Sequence, residues 1–204
     1  MDIKQTAWVA LSLLLISGCA TMDQSECLNA DWQIIGMEDG AQGKLLSHIG
    51  RHRSACAKYF ITPNLELYQQ GHNEGVTQYC TGYNGFSVGK SGSEYNSICP
   101  PQSEPLFLEG YEQGRSIYLL NKDIWQLRSS ISSNQEKMSK LKDSSHSKEQ
   151  QLLHQNLATA TRAELVHSIK KIERKLGRLQ VTIRTQKEDL KAKERYLDEI
   201  SHRY

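Results

Sequence analysis

The second half of the chain contains two runs of apolar residues spaced alternately three and four positions apart. This spacing is typical of helices that pack along a shared seam, so it predicts two long helices. Asn134 interrupts the first run, and Gln186 and Lys193 interrupt the second. The first run comprises Ile117, Leu120, Ile124, Leu127, Ile131, Met138 and Leu141. The second comprises Leu165, Ile169, Ile172, Leu176, Leu179, Ile183, Leu190, Leu197 and Ile200.

The two runs are separated by a polar stretch, Asp143–Lys148, that is poor in apolar residues. We therefore expect a turn between Asp143 and Thr161, and an antiparallel helical hairpin in which the two seams face each other. Parallel pairing between two chains would use the same residues, so self-association through a coiled coil is the alternative.

Three segments of the first half place an aromatic residue three or four positions before a glycine, with a second glycine four positions further on. They lie at residues 31–40, 68–75 and 107–115. Spacings of three and four are helical, so each segment predicts a short helix with a stripe of aromatic and glycine residues. Glycine weakens a helix, so its recurrence indicates a packing role such as a close helix crossing.

These segments allow a functional and a structural interpretation. In the first, aromatic and charged side chains line a groove for glycan; its candidate residues are Trp32, Tyr68, Tyr111, Asp39, Glu74 and Arg115. In the second, which we favour, small helices pack about a core held by disulfides. The stretch from Cys80 to Cys99 is rich in Gly, Ser and Asn and is predicted to be largely loop.

The first residues have the layout of a signal peptide: Lys4 precedes an apolar run at residues 7–16. Ile16-Ser17-Gly18-Cys19 then matches the bacterial lipobox. We expect residues 1–18 to be removed and Cys19 to carry the lipids that hold the chain on a membrane. An ordinary cleavage site with an accidental cysteine is the alternative. Ala20 in place of the Asp that retains sorted lipoproteins at the inner membrane favours the outer membrane.

Composition divides the chain near Leu106, and charge divides it at about the same place. All 14 glycines except Gly177 lie at or before residue 114. Residues 20–118 carry 6 Lys and Arg against 11 Asp and Glu, whereas residues 119–204 carry 18 against 11. The formal net charge of +2 therefore combines an acidic head with a basic tail. A basic helical face could meet lipid or lipopolysaccharide phosphates, or simply be solvated.

Four cysteines remain in the head once Cys19 is lipidated: Cys27, Cys56, Cys80 and Cys99. An even number in an exported head predicts two disulfides. We favour sequential pairing, Cys27 with Cys56 and Cys80 with Cys99, because each bridge then closes a moderate loop. The two other connectivities remain open.

A metal site is a competing interpretation of His48, His52 and Cys56, which would lie along one face of a helix. The next turn offers no clear fourth ligand, and Arg51 and Arg53 place positive charge beside the site. We therefore expect no metal and no cofactor.

The head resembles an uncharacterised family of bacterial lipoproteins defined by a domain of unknown function, with a lipobox, a Cys-rich head and a helical tail. The resemblance covers about residues 27–118 and implies no activity, because none is established for the family. The matching residues are Asp31, Trp32, Gly36, Asp39, Gly40, His52, Cys56, Ala57, Tyr68, Gly71, Gly75, Tyr79, Cys80, Gly85, Phe86, Gly89, Gly92, Tyr95, Cys99, Tyr111, Gly114 and Arg115.

The sequence therefore predicts a mainly α protein: a small disulfide-stapled, loop-rich head followed by a long antiparallel hairpin. We divide it into a signal peptide (1–18), a lipidated tether (19–26), the head (27–118) and the coiled-coil tail (119–204). We expect a non-enzymatic interaction or spacer protein of the cell envelope, anchored to the outer membrane and facing the periplasm, with an envelope protein as partner. Glycan or peptidoglycan binding by the head is the alternative, with hydrolysis as a remote extension. Export argues against nucleic acid.

Overall fold

The computed structural model describes residues 22–201, which are mainly helical and contain no β-strand. The predicted signal peptide, residues 1–18, and Cys19 lie outside the described residues. The helices are α1 (Gln24–Leu28), α2 (Trp32–Ala41), α3 (Ile49–Ala57), α4 (Leu65–Tyr79), α5 (Gly82–Ser91), α6 (Glu104–Leu152) and α7 (Thr159–Ser201), with a short 3-10 helix at Leu46–His48 before α3.

Two compact units divide the described residues. The first contains the chain up to Val88 together with Ser93–Glu112, and the second contains Gly89–Gly92 with the chain from Gln113 onward. Within residues 22–201, we find no helix with the length and apolar character needed to span a bilayer.

Helices α6 and α7 form the predicted antiparallel hairpin. The connection between them occupies residues 153–158, within the predicted interval, whereas the polar stretch Asp143–Lys148 continues α6. Side-chain hydrogen bonds run from Arg128 to Glu194 and, nearer the turn, from Asn134 to Gln186. The buried seam residues include Ile117, Ile124, Ile131, Leu165, Ile169, Ile172, Ile183 and Ile200.

The polar interruptions of the two seams contact polar residues of the opposite helix. The Nδ2 of Asn134 donates to Oε1 of Gln186 at 3.1 Å, and Nε2 of Gln186 donates to Oγ of Ser130 at 2.8 Å. Lys193 pairs with Asp123 at 3.1 Å. The three residues that interrupt the apolar runs thus each have a polar partner on the facing helix, which favours one alignment of the two helices.

Helices α2 and α4 begin where the sequence supplies a capping side chain. Asp31 accepts hydrogen bonds from the backbone N–H groups of Gln33 and Ile34 at the start of α2. Asn64 caps α4 in the same way through Leu67. The predicted loop between Cys80 and Cys99 is wrong in part, because its first half forms α5.

The same type of helix crossing occurs twice in the head. In the first repeat α2 crosses α4, and in the second α5 crosses the start of α6. A Cβ on Gly36 would lie under 3.0 Å from the backbone oxygen of Tyr68. A Cβ on Gly85 would meet that of Phe107 in the same way. The aromatic–glycine spacing therefore marks helices whose backbones touch, as expected for glycine at a crossing.

The repeats correspond residue by residue, with one constant offset for the first helix of each pair and another for the second. Gly43 and Gly92 both adopt a positive φ, +74° and +78°, and a Cβ on either would collide with the ring of Tyr79 or Tyr118. The remaining equivalent pairs are Gln33 with Gly82, Gly36 with Gly85, Asp39 with Val88, Gly40 with Gly89, Lys44 with Ser93, Tyr68 with Phe107, Gly71 with Gly110, His72 with Tyr111 and Gly75 with Gly114.

The head contains two disulfides: one joins α1 to α3, and the other joins the end of α4 to the segment before α6. Cys27 pairs with Cys56 across a Cα–Cα distance of 5.7 Å, and Cys80 pairs with Cys99 across 5.5 Å. This is the sequential connectivity that the loop lengths favoured. Each bridge lies in its own core: the first contains Trp32, Ile49 and Tyr68, and the second Val76, Tyr79 and Phe107.

Candidate functional site

Asp39 is a buried carboxylate at the centre of the first repeat, and 4 % of its surface is exposed. Its Oδ1 accepts a hydrogen bond from Nζ of Lys44 at 2.9 Å. Its Oδ2 accepts one from the hydroxyl of Tyr68 and one from Nε2 of His52, both at 2.8 Å. The buried charge is thus compensated by one cation and three hydrogen bonds.

The backbone of the crossing holds these partners in place. Helix α2 ends just before Gly43, whose positive φ turns the chain so that the backbone N–H of Lys44 donates to the carbonyl of Asp39 at 3.0 Å. Nε2 of His72, on α4, donates to the carbonyl of Lys44 at 2.7 Å and fixes this turn. In the second repeat the hydroxyl of Tyr111 makes the equivalent bond to the carbonyl of Ser93.

Electrostatics favour an ionised Asp39 beside a neutral Tyr68. Burial raises the pKa of Asp39, but hydrogen bonds from Lys44, His52 and Tyr68 and the charge of Lys44 outweigh it, so the net shift is downward. Burial, the hydrogen bond to Asp39 and the charge of Asp39 all raise the pKa of Tyr68. Since the carboxylate is acceptor only, Nε2 of His52 must carry a proton in this arrangement.

His48 and His52 lie one turn apart, as their spacing predicted, with ring centroids 5.5 Å apart. Burial lowers the pKa of His48, and the nearby positive charge of Lys44 acts in the same direction, although the charge of Asp39 opposes it. Ligand atoms of Asp39, His48 and His52 all lie within 4.8 Å of one another.

The third member of this cluster corrects the metal site considered from the sequence. Cys56 is bound to Cys27 and offers no thiolate, whereas Asp39 approaches the two histidines from helix α2. Spacing along one helix could not reveal Asp39. The available signal was the repeat itself, in which Asp39 stands where the second copy has valine.

A pocket of about 320 Å3 borders the cluster. It is lined by His48 of the cluster and by Lys44, the ion-pair partner of Asp39, and it is mostly polar and positively charged. Its lining residues are Lys44, Leu45, Ser47, His48, Arg51 and Asn96.

The residues suggested for a glycan groove are placed mainly by helix packing. Trp32 and Tyr68 are 7 % and 0 % exposed, so neither offers a ring face to a sugar, and Asp39 is buried beside Tyr68. Tyr111 packs against the second core. Glu74 accepts a hydrogen bond from Gln33, and Arg115 donates to the carbonyl of Gly92. The burial of the first three removes the support that the aromatic pattern gave to glycan binding.

The hairpin presents a second candidate surface, a basic groove defined by the pocket residues that follow. Leu141 and Leu179 supply its apolar part, and its volume is about 480 Å3. A neighbouring pocket shares Lys175 and Arg178 with it. Together the two pockets are lined by Lys137, Lys140, Leu141, His167, Lys171, Arg174, Lys175, Arg178, Leu179 and Thr182, with no carboxylate among them.

Comparison with known proteins assigns a domain but no activity. No curated protein and no solved structure matches the chain. A family model described as a protein of unknown function, DUF2799, matches residues 31–116. This interval begins at the cap of α2 and ends in the first turns of α6, so it contains both glycine crossings and the Asp39 cluster. Residues 31–116 therefore form a DUF2799 domain.

Proposed function

We propose that this chain is a non-enzymatic, lipid-anchored protein of the bacterial cell envelope whose hairpin binds anionic phospholipid headgroups. The observation that carries the proposal is the basic groove, in which cationic side chains surround leucines; no carboxylate lines it, although Lys140 pairs with Glu136 outside the lining. Two disulfides support export to an oxidising compartment. The lipobox supplies the lipid anchor, which holds the chain on the outer membrane so that it faces the periplasm.

The charge of the groove suits a membrane surface. A Lys or Arg near an anionic bilayer contributes about 1 kcal/mol each. Lys171, Arg174, Lys175 and Arg178 follow one another along α7, and Lys137 lies across from them on α6. Lipids on Cys19 would keep the hairpin close to headgroups, so even modest attraction would hold the groove on the surface.

Co-sedimentation with vesicles tests the groove. The mature chain with Cys19→Ser, which lacks the lipid, should bind vesicles of phosphatidylcholine containing phosphatidylglycerol and not vesicles of phosphatidylcholine alone. Changing Lys171, Arg174, Lys175 and Arg178 to Glu should weaken this binding at least tenfold.

The matched control makes the same four charge reversals outside the groove, at Lys122, Lys148, Lys191 and Arg195. It should retain most of the binding, because the net charge change is equal and only the location differs. Equal loss in both variants, or no preference for anionic vesicles, would overturn the proposal. Tighter binding to lipopolysaccharide than to phosphatidylglycerol would contradict the choice of phospholipid.

Fractionation tests the anchor separately. In cells, the parent chain should remain in the membrane fraction after a wash in about 1 M salt, because salt screens charges but does not extract acyl chains. The Cys19→Ser variant should be released by that wash. If the variant stays membrane-bound in high salt, Cys19 is not the anchor.

A further inference from the structure

The second repeat shows that this helix crossing does not require a buried charge. At the positions of Asp39 and Tyr68 it has Val88 and Phe107, and Phe107 is fully buried in the second core. Apolar residues therefore complete the same crossing without the desolvation of a carboxylate. The polar cluster of the first repeat needs an explanation other than folding.

The repeats also differ in length, and the difference brings in the histidines. Between its two crossing helices the first repeat contains the 3-10 helix Leu46–His48 and α3, whereas residues 92–103 of the second repeat contain no helix. His48 and His52 belong to this additional segment, which places them against Asp39. The buried carboxylate and the helix that supplies its imidazole partners thus occur together in one repeat and are missing together from the other.

We propose that Asp39, His48 and His52 bind a divalent transition-metal cation of the zinc class. Two imidazoles and one carboxylate form a ligand set that suits such ions and leaves a fourth position open. The geometry needs small adjustments. Ligand atoms around tetrahedral zinc lie roughly 3.3 Å apart, whereas Nε2 of His52 is now 2.8 Å from Oδ2 of Asp39. The longer separations, up to 4.8 Å, can shorten by rotation of half-buried His48.

The cation takes the position of the proton that joins His52 to Asp39. His52 binds through Nε2, so Nε2 gives up its proton and the bound ring carries its proton on Nδ1. Tyr68 keeps its hydrogen bond to Oδ2, and Lys44 keeps its bond to Oδ1, where both orient the carboxylate. The network around Asp39 therefore serves as the outer support of the metal.

The positive charges beside the cluster affect both its affinity for a metal and the ligands that the metal can attract. Lys44 and Arg51 oppose a cation, so they weaken binding compared with a site of the same ligands in a neutral setting. The same two side chains line the adjoining pocket of about 320 Å3. They would attract a small anion, such as a carboxylate or phosphate group, to the open fourth position of the metal.

Calorimetric titration of the oxidised mature chain, with Cys19→Ser, tests the proposal. Both cysteine pairs of the head are then disulfides, so no thiolate competes for zinc. We expect saturable binding of one zinc ion per chain. His48→Gln and His52→Gln should each weaken the affinity at least tenfold. The matched controls, His146→Gln and His167→Gln on the hairpin, should leave it unchanged.

A second measurement detects the ring proton of His52 directly in the parent chain. Nitrogen-15 NMR of the histidine rings should show Nε2 of His52 protonated without zinc and Nδ1 protonated with it. Asp39→Asn should abolish this shift of the proton while its amide oxygen can still accept from Tyr68. Absence of one-to-one binding, binding that depends on the hairpin histidines, or saturation by inorganic phosphate in place of zinc would overturn the proposal.

Discussion

The contribution of the Asp39–Tyr68 pair to the free energy of unfolding can be measured. The second repeat, which has Val88 and Phe107 at the equivalent positions, shows which residues can replace the pair. Asp39→Val would remove the acceptor of the buried Tyr68 hydroxyl, and we expect it to lower the free energy of unfolding by about 2–4 kcal/mol. Tyr68→Phe alone should cost about 1 kcal/mol. The double variant recreates the residues of the second repeat and should cost clearly less than the sum, with a coupling of about 1 kcal/mol or more.

Urea unfolding of the oxidised protein would provide these values. The matched control pairs Asp39→Val with Tyr111→Phe, which removes the hydroxyl that bonds to Ser93 in the second repeat. These two substitutions should be additive. Additivity of the Asp39 and Tyr68 substitutions would contradict the view that the two side chains act as one unit.

Two tyrosines of the second core predict alkaline instability. Burial and the charge of Tyr111 raise the pKa of Tyr79. Burial and Glu104 raise that of Tyr95, against a smaller opposite effect of the backbone N–H of Cys99. A raised pKa stabilises the fold below the unfolded value, about 10, and this contribution disappears as the pH rises through the folded value.

The contribution of Tyr79 and Tyr95 to the free energy of unfolding should therefore be constant up to about pH 10 and decrease at higher pH. Urea unfolding at several alkaline pH values, with tyrosinate absorbance recorded in parallel, would show this. Tyr79→Phe should make the decline shallower, whereas Tyr83→Phe, at an 85 % exposed ring, should leave it unchanged. A slope that Tyr79→Phe does not alter would exclude this explanation.

Among the elements, the glycine crossings should tolerate substitution least. A Cβ on Gly36 or Gly71 would lie under 3.0 Å from the backbone of the facing helix, and backbone cannot move aside as a side chain can. We expect Gly36→Ala to cost about 3 kcal/mol or more. Gly50→Ala, with nothing within 4 Å of the added carbon, should instead stabilise by up to about 1 kcal/mol.

Thermal unfolding of the two variants, measured by circular dichroism, would show opposite shifts. If Gly36→Ala were as stable as the parent, the helices could separate at the crossing without loss. The close backbone approach would then not determine the stability of the head.

Sequence periodicity predicted the elements wherever the signal was local. The heptad runs predicted both hairpin helices, and loop length favoured the correct cysteine pairing. Composition misled between Cys80 and Cys99: glycines there usually indicate a loop, but Gly85 serves the same crossing role as Gly36. The Asp39 cluster could not be predicted from spacing, because its members lie on separate helices and only the tertiary crossing brings them together.

At the scale of the whole molecule, the disulfides should stabilise the head and leave the hairpin unaffected. Both bridges lie within the head, and each should contribute about 3 kcal/mol. Reduction should therefore lower the unfolding temperature of the head while the hairpin stays helical. We expect two separate transitions after reduction.

Trp32 is a convenient probe for this experiment, because it is buried in the first core. With Trp125→Phe in a chain expressed without residues 1–18, tryptophan fluorescence would report the head alone, and circular dichroism at 222 nm would mainly report the hairpin. Coincident transitions of the two signals after reduction would show that the hairpin depends on an intact head.

The hydrogen bonds among Asn134, Gln186 and Ser130 hold the two hairpin helices in one alignment and so give the hairpin a defined length. Sliding one helix past the other would leave these polar groups without partners at the seam, so a single alignment is preferred. The 43 residues of α7 then span about 65 Å at 1.5 Å per residue. Removing seven residues from each helix would shorten this reach by about 10 Å and preserve the seam. The reach of the hairpin is therefore set by the number of heptads in its two helices.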